Sequence, residues 1–314
     1  MTPGWQQARI DNFQRGAIEG FTPDEPDLIC DFWTEINRNM RAKLAAQGWP
    51  QLNLQQFMEL RDTEDFLVME RFRRRIDEIV SNKETAQALK PWFRFNCKRP
   101  LSSNTFYETF NRPNVALFDV SGSAGVERIT PNGFIHAGAE YAIDCLICAS
   151  GFEVSSDLDR RWAIPVFEGR ERLSIYEVWG KEVRTLHGMM ARGFPNQFFM
   201  GLYQGGLNGT IPETFKRQAE HIAYIIKAAL QRGLSALEPS QEAQDEWVAH
   251  IRATAIDISS LQRECTPTYF NNEGDASKGK RWYLGESYGP GWAAFQKILS
   301  DWRASGEMAG LLAD

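Results

Sequence analysis

The hydrophobic period of this chain changes near residue 94, and that change narrows the folds open to it more than any other feature. Up to about residue 93 the apolar side chains recur at helical spacing. Leu28, Ile29, Phe32, Ile36 and Met40 do so within "PDLICDFWTEINRNMRAKLAAQG", and Phe66, Met69, Phe72, Ile76 and Val80 within "TEDFLVMERFRRRIDEIVSN". Gly48 and Pro50 stop the first pattern, and "NKETAQALKPWF" adds a short helix ended by Pro91. These aromatic and methionine positions read as core. From 94 onward the apolar residues come in strand-like runs: "NVALFDV", then "GVERITPNGFIH" with Asn132-Gly133 as its hairpin turn, then "EYAIDCLICAS" and "NQFFMGLY". Two long helices follow, "IPETFKRQAEHIAYIIKAALQRG" and "SQEAQDEWVAHIRATAIDISSLQ". Thr210 and Glu213 fit a capping box at the start of the first, with Pro212 tolerated in its first turn. The tail, "RWYLGESYGPGWAAFQKILSDW", reads as a short strand, a loop and a helix. The class is α/β, and 314 residues are enough for about two domains.

Composition excludes several functions. A net charge of -6 argues against a nucleic-acid binder. The one basic cluster, Arg71-Phe72-Arg73-Arg74-Arg75, lies between Glu70 and Asp77-Glu78 and reads as a solvated helix face. No run approaches the roughly 20 apolar residues that span a bilayer, and "MTPGWQQARI" has no apolar signal region. Five cysteines, an odd number without secretory context, point to free thiols and a cytoplasmic protein. Cys145 and Cys148 form a C-x-x-C, but in a strand positions i and i+3 face opposite ways, so the pair reads as two small buried hydrophobes. His136, His187, His221 and His250 lack ligand spacing, and no metal site is expected.

Four stretches are candidates to carry chemistry. "AIDCLICASGFEV" ends its apolar run at Ala149-Ser150-Gly151-Phe152, the way a strand delivers a chain to a nucleotide, yet no glycine fingerprint accompanies it. Gly289-Pro290-Gly291-Trp292-Ala293-Ala294 matches G-x-G-x-x-A only as a string. It lacks a βαβ unit, and only a short tail follows where the acidic residue about 20 positions on should stand. "QGGLNGTIPE" runs through glycines into a helix start, whose free N–H groups and positive dipole end suit a cofactor carbonyl or phosphate. An ordinary glycine-rich strand–helix loop is the alternative. In "NCKRP", Lys98 and Arg99 are adjacent cations that repel unless they face anions, Lys98 as a point charge and Arg99 as a rigid fork. A solvated surface pair is the alternative there.

Together "CKRPLSSNTFYETFNRPNVALFDV", "EYAIDCLICASGFEV", "ARGFPNQFFMGLY", "AEHIAYI" and, near the end, "ECTPTYFNNEG" with "YLGESYGPGWAAF" resemble the C-terminal half of flavin-dependent Baeyer–Villiger monooxygenases. The resemblance covers essentially the whole chain. It implies the C-terminal part of a flavoprotein with two dinucleotide-binding domains, for FAD and NADP, and a helical insertion. Residues 1–93 would be that insertion, 94–149 the end of the NADP domain, and 150–314 the returning FAD domain. Ala149-Ser150-Gly151-Phe152 would be the linker between the two. The glycine fingerprints would lie upstream, on a separate chain, cut off by a truncated gene model, or lost.

The resemblance further implies oxidation of a ketone to an ester or lactone with NADPH and O2. Arg99 would be the cation beside the developing oxyanion and would touch the nicotinamide, and Lys98 would reach the 2′-phosphate of NADP. Gly206, Asn208 and Thr210 would meet the flavin at a helix start. The tryptophan that family members often place over the cofactor falls here at Thr268 or Tyr269, so no role transfers. A non-catalytic remnant serving as an interaction module and a flavin N- or S-hydroxylase are the rival expectations.

Overall fold

The computed structural model of the protein describes residues 3–20, 22–120, 122, 125–152, 154, 157–164, 169–256, 263–274 and 286–314. The chain forms two compact units, one of Met1–Glu64 with Val154–Asp314 and the other of Asp65–Glu153. Among the described residues, no helix is long and apolar enough to cross a membrane.

In the first unit, helix α1 (Trp5–Gln14) runs into a π-helical turn, Arg15–Glu19. The turn closes with the Gly20 N–H on the Arg15 carbonyl at 2.6 Å. Helix α2 (Glu35–Ala46) begins seven residues later than the apolar spacing from Leu28 suggests. The reason is Asp27. Its carboxylate accepts the N–H groups of Ile29 and Cys30, the Thr34 hydroxyl at 2.6 Å and Arg38 Nη1 at 2.7 Å. Such local side-chain bonds compete with helix formation. Burial disfavours the Asp27 charge, but the bonds from Thr34, Cys30, Arg38 and Ile29 outweigh it and hold the carboxyl below its ordinary range. Helix α2 ends as its sequence indicates, with Gly48 in the left-handed region at φ 73.

The rest of this unit carries α6 (Leu158–Trp162), α7 (Ile175–Lys181), α8 (Ile211–Gln231), strand β4 (Leu237–Pro239), α9 (Gln241–Thr254), α10 (Trp292–Ser305) and β5 (Leu311–Ala313). Strands β4 and β5 pair antiparallel, with Pro239 opposite Leu311. Helix α7 has a true capping box, Ser174 with Glu177. The box expected at Thr210 does not form. Glu213 instead turns away to Arg217 at 2.8 Å and Gln7 at 3.1 Å. The core gathers Met189, Trp247, Ile251, Phe295 and Leu299 in one cluster, and Ile175, Trp179, Phe194 and Phe199 in a second. "NQFFMGLY" is not a strand. It is pinned by the Phe199 N–H on the Met189 carbonyl at 2.8 Å and by the Gln218 amide, which bonds Gly201 on both its N–H and its carbonyl. The short strand expected near residue 282 lies outside the described residues.

In the second unit, the latter part of α3 (Leu54–Ile79) packs with α4 (Lys83–Leu89) through Ile76, Val80 and Ala86. Met69, Ile76 and Val80 are buried as their spacing predicts, whereas Phe66 is 60% exposed and serves as a face for the Arg73 guanidinium. Arg73 itself is buried, paired with Glu70, bonded to the Pro91 carbonyl at 2.7 Å and stacked near Trp92. Only Arg71, Arg74 and Arg75 of the basic cluster form a solvated face. A short helix, α5 (Phe106–Thr109), follows.

Strands β1 (Arg128–Thr130), β2 (Gly133–His136) and β3 (Ala139–Ala142) form an antiparallel meander. Thr130 pairs with Gly133, so Pro131-Asn132 makes the first turn, one residue earlier than the Asn-Gly signal suggests. The second turn, Ala137-Gly138, has φ of 50 and 75, the primed geometry of a two-residue hairpin. The neighbouring runs 115–120 and 143–149 join no strand ladder among the described residues. Cys145 and Cys148, expected to be buried in such a strand, are consequently exposed free thiols, as is Cys30. Cys97 and Cys265 are not free thiols, which corrects the expectation of five.

Gly133 serves close approach rather than turn geometry. A Cβ there would fall 1.8 Å from the Tyr141 carbonyl oxygen of β3. Gly133→Ala is therefore expected to force β2 and β3 apart and to cost about 1–3 kcal/mol, as overpacking does. Amide hydrogen exchange reads this directly, through lost protection of the β2–β3 ladder with α4 unaffected. Unchanged protection would refute it.

Candidate functional site

The sequence-expected residues divide between the two units. Lys98 and Arg99 belong to the second. The 3-10 turn Phe95–Cys97 buries Phe95 and Cys97 and is anchored by the Phe95 N–H on the Asp65 carboxylate at 3.2 Å. The chain leaves it extended, with Lys98 at φ -127 and ψ 159. Lys98 is half-buried, its ammonium 5.6 Å from the centre of the Phe93 ring, a cation–π contact that orients it. Arg99 is exposed and has no ion-pair partner among the described residues.

Gly206, Asn208 and Thr210 belong to the first unit and share the loop that leads into α8. Gln204, buried at the loop's start, accepts from both the N–H and the hydroxyl of Thr185 at 2.8 Å and donates to the Val183 carbonyl and to Glu286. Gly206 lies directly on α10. A Cβ there would meet the Phe295 side chain at 2.7 Å, so this glycine contributes backbone packed on an aromatic ring. Asn208 is fully buried. Its Oδ1 accepts the Thr210 N–H at 2.8 Å, while its Nδ2 has no partner. The hydroxyl of Thr214, in the first turn of α8, is also buried without a partner. Thr210 makes no side-chain cap. A buried donor left unpaired costs about 1–3 kcal/mol. Such groups gathered at a helix start fit a polar acceptor that the described residues do not provide.

Sequence reasoning missed what braces this loop. The π turn after α1 sets Gln14 and Glu19 against it. Gln14 bonds Leu207 and Gly209, and Glu19 Oε1 accepts the Trp292 N–H at 2.8 Å. Glu19 thus occupies the N-terminus of α10, the helix that opens at the G-x-G-x-x-A string. A side-chain carboxylate, not a phosphate, satisfies that end. A π turn has no sequence signature, and α1 shows no apolar stripe, so nothing in the local pattern pointed to Gln14 or Glu19.

Behind the loop, His187 and His221 are both buried, with ring centres 5.4 Å apart among Trp247 and Trp302. Burial pushes His187 down to about 4. Burial, then His187, then Arg303 push His221 down to about 3. The surrounding gap is lined by Leu186, Met189, Met190, Ile225 and Leu311 and has no room for a water. Among the described residues no group of His, Cys, Asp and Glu could hold a metal ion. Thr268 is buried, and Tyr269 opens the 3-10 turn Tyr269–Gly274.

No protein-family model matches the chain. Curated relatives do. Pentalenolactone D synthase of Streptomyces exfoliatus is 39% identical over 99% of this chain and 53% of its own length. Baeyer-Villiger monooxygenase ATR8 of Stachybotrys chlorohalonatus is 38% identical over 100% of this chain and 49% of its own. Among solved structures, the polycyclic ketone monooxygenase of Thermothelomyces thermophila superposes with a TM-score of 0.82 at 30% identity, over 100% of this chain and 51% of that one. The chain is homologous, end to end, to the C-terminal half of the flavin-dependent Baeyer–Villiger monooxygenases. It spans about half the length of the curated relatives it matches.

Proposed function

We propose that this chain is the C-terminal half of a cytoplasmic Baeyer–Villiger monooxygenase that binds FAD and NADP and, with the complementary N-terminal half, converts a ketone to an ester or lactone using NADPH and O2. The single observation that carries the proposal is the end-to-end match, at more than a third identity, to half of such enzymes. The apolar runs 115–120 and 143–149 support a missing half, because Leu117, Leu146 and Ile147 are exposed there and neither run joins a strand ladder among the described residues. Exposed apolar runs of this kind call for a partner. On this reading residues 1–93 are the helical insertion, 94–149 the end of the NADP domain, and 150–314 the returning FAD domain.

Bound flavin, reduced by NADPH, would supply the activation of oxygen. The chain's own residues would do the rest. Arg99, exposed and with no ion-pair partner among the described residues, would stabilise negative charge developing on the substrate oxygen. Lys98, held by Phe93, would pair with the 2′-phosphate that distinguishes NADP from NAD. Asn208 and Thr210 would offer donors at the start of α8 to the flavin's polar edge, with Gly206 letting Phe295 close under the loop.

Co-expression tests the proposal. Residues 1–314 purified alone are expected to be colourless and inactive. The same chain co-expressed with a fingerprint-bearing N-terminal half from a curated relative is expected to yield a yellow complex that consumes NADPH when a ketone is added. A yellow, monomeric preparation of residues 1–314 with ketone-dependent NADPH consumption would overturn the need for a partner half. Failure of every complemented preparation to hold flavin would overturn the flavoenzyme reading itself.

A further inference from the structure

We propose that Gln14 is a positioning residue for the loop that carries Asn208 and Thr210, an inference that rests on the reading of that loop as a flavin contact. The Gln14 side chain is 2% exposed although it ends a surface helix. Its amide straddles Asn208. Oε1 accepts the Gly209 N–H at 2.8 Å, and Nε2 donates to the Leu207 carbonyl at 3.2 Å. That is the pair of bonds a neighbouring strand would make across one residue, supplied here by a single side chain. The amide supplies both the donor and the acceptor that the two bonds need, which a carboxylate or an apolar side chain of the same shape would not.

The clamp is itself fixed. Nε2 also donates to Glu19 Oε1 at 3.1 Å, and the same oxygen takes the Trp292 N–H that opens α10. Asn37 donates to the Gly16 carbonyl inside the π turn at 2.7 Å, holding the turn on α2. Phe13 and Ile18 close on Gly209, where a Cβ would already meet each at 3.1 Å. With the backbone gripped on both sides of Asn208, and its Oδ1 spent on the Thr210 N–H, the only free part of that side chain is Nδ2, and its direction is set. A single-turn π element at this place accords with the frequency of such turns at functional sites.

A double-mutant cycle in the complemented, flavin-loaded enzyme separates positioning from mere stability. FAD affinity is measured by flavin fluorescence for native protein, Gln14→Leu, Asn208→Ala and the pair, alongside thermal midpoints. Gln14→Leu is expected to weaken FAD about tenfold in the native background and not at all in the Asn208→Ala background, while lowering the thermal midpoint equally in both. An equal loss of FAD affinity in both backgrounds would make Gln14 a structural residue and overturn the proposal. So would native affinity in Gln14→Leu where Asn208→Ala is weakened. Native affinity in Asn208→Ala would instead overturn the flavin reading of the loop, and the role of Gln14 with it. Should Gln14→Leu fail to fold, the isosteric Gln14→Glu carries the same cycle, since it keeps the acceptor for Gly209 and loses the donor to Leu207.

Discussion

Arg99→Ala, in the complemented enzyme, is expected to lower ester formation by about 10²–10³, the loss typical when one donor to a developing oxyanion is removed. The expectation follows from charge and place. Arg99 emerges from a buried turn, directly after a half-buried lysine, and has no acidic neighbour among the described residues to neutralise it. NADPH oxidation should fall far less, with the reducing equivalents diverted from ester to hydrogen peroxide (NADPH, a proton and O2 giving NADP and H2O2). Arg99→Lys keeps the charge and loses the fork, and should recover part of the ester yield. Ester yield per NADPH, measured by product analysis against absorbance, decides the matter. A native ratio in Arg99→Ala would remove Arg99 from the oxygen step.

The helical part of the fold was legible because tertiary packing there agrees with local pattern. Met69 and Ile76 fall on one face of α3, Val80 follows directly after it, and all three are buried. The late start of α2 was not legible from spacing, because the apolar residues after Leu28 keep helical period while Asp27 ties their backbone into a turn. The strands were the least legible. "NVALFDV" and "CLICAS" have the composition of buried strands, but neither joins a strand ladder among the described residues. Gly133 shows a subtler limit. The Asn-Gly pair correctly marked a hairpin, yet the glycine is required by the approach of Tyr141 on the far side, a contact to the third strand that a two-strand signal does not contain.

The candidate residues came from the sequence only where they lie contiguously. Lys98-Arg99 and the Gly206–Thr210 loop each announce themselves as strings. What holds the loop does not, since Gln14 stands 193 residues from Leu207 and Glu19 stands 273 residues from Trp292. The same limit explains the capping box at Thr210. Its two residues have the right types and spacing, but Gln7 and Arg217 compete for Glu213 and win.

The second large effect is expected on stability in acid, and it arises from the two histidines that spacing alone left without a role. Arg303 Nη1 lies 3.2 Å from His221 Nδ1, and a guanidinium can only donate, so Nδ1 is the acceptor and the imidazole proton sits on Nε2. That Nε2 is buried with no partner. Protonating His221 would therefore place a second charge next to Arg303 in a dry pocket beside His187. Both folded-state values lie below the ordinary 6.5, about 4 for His187 and about 3 for His221. Between pH 6.5 and those values the unfolded chain takes up protons that the folded chain refuses. Stability is therefore full above pH 6.5, falls as pH drops from there toward 4, and levels once the folded histidines also protonate. At 1.36 kcal/mol per unit, His187 alone accounts for about 3 kcal/mol of loss. The pair should lose more than either alone and less than a simple sum, because part of the His221 shift comes from His187. Urea unfolding of the complemented enzyme, followed by tryptophan fluorescence from pH 7.5 to 4.5, should show this slope. His187→Gln with His221→Gln should flatten it while lowering the plateau at pH 7.5. A native protein whose unfolding free energy is the same at pH 7.5 and 4.5 would mean that these rings are not buried neutral in the folded state.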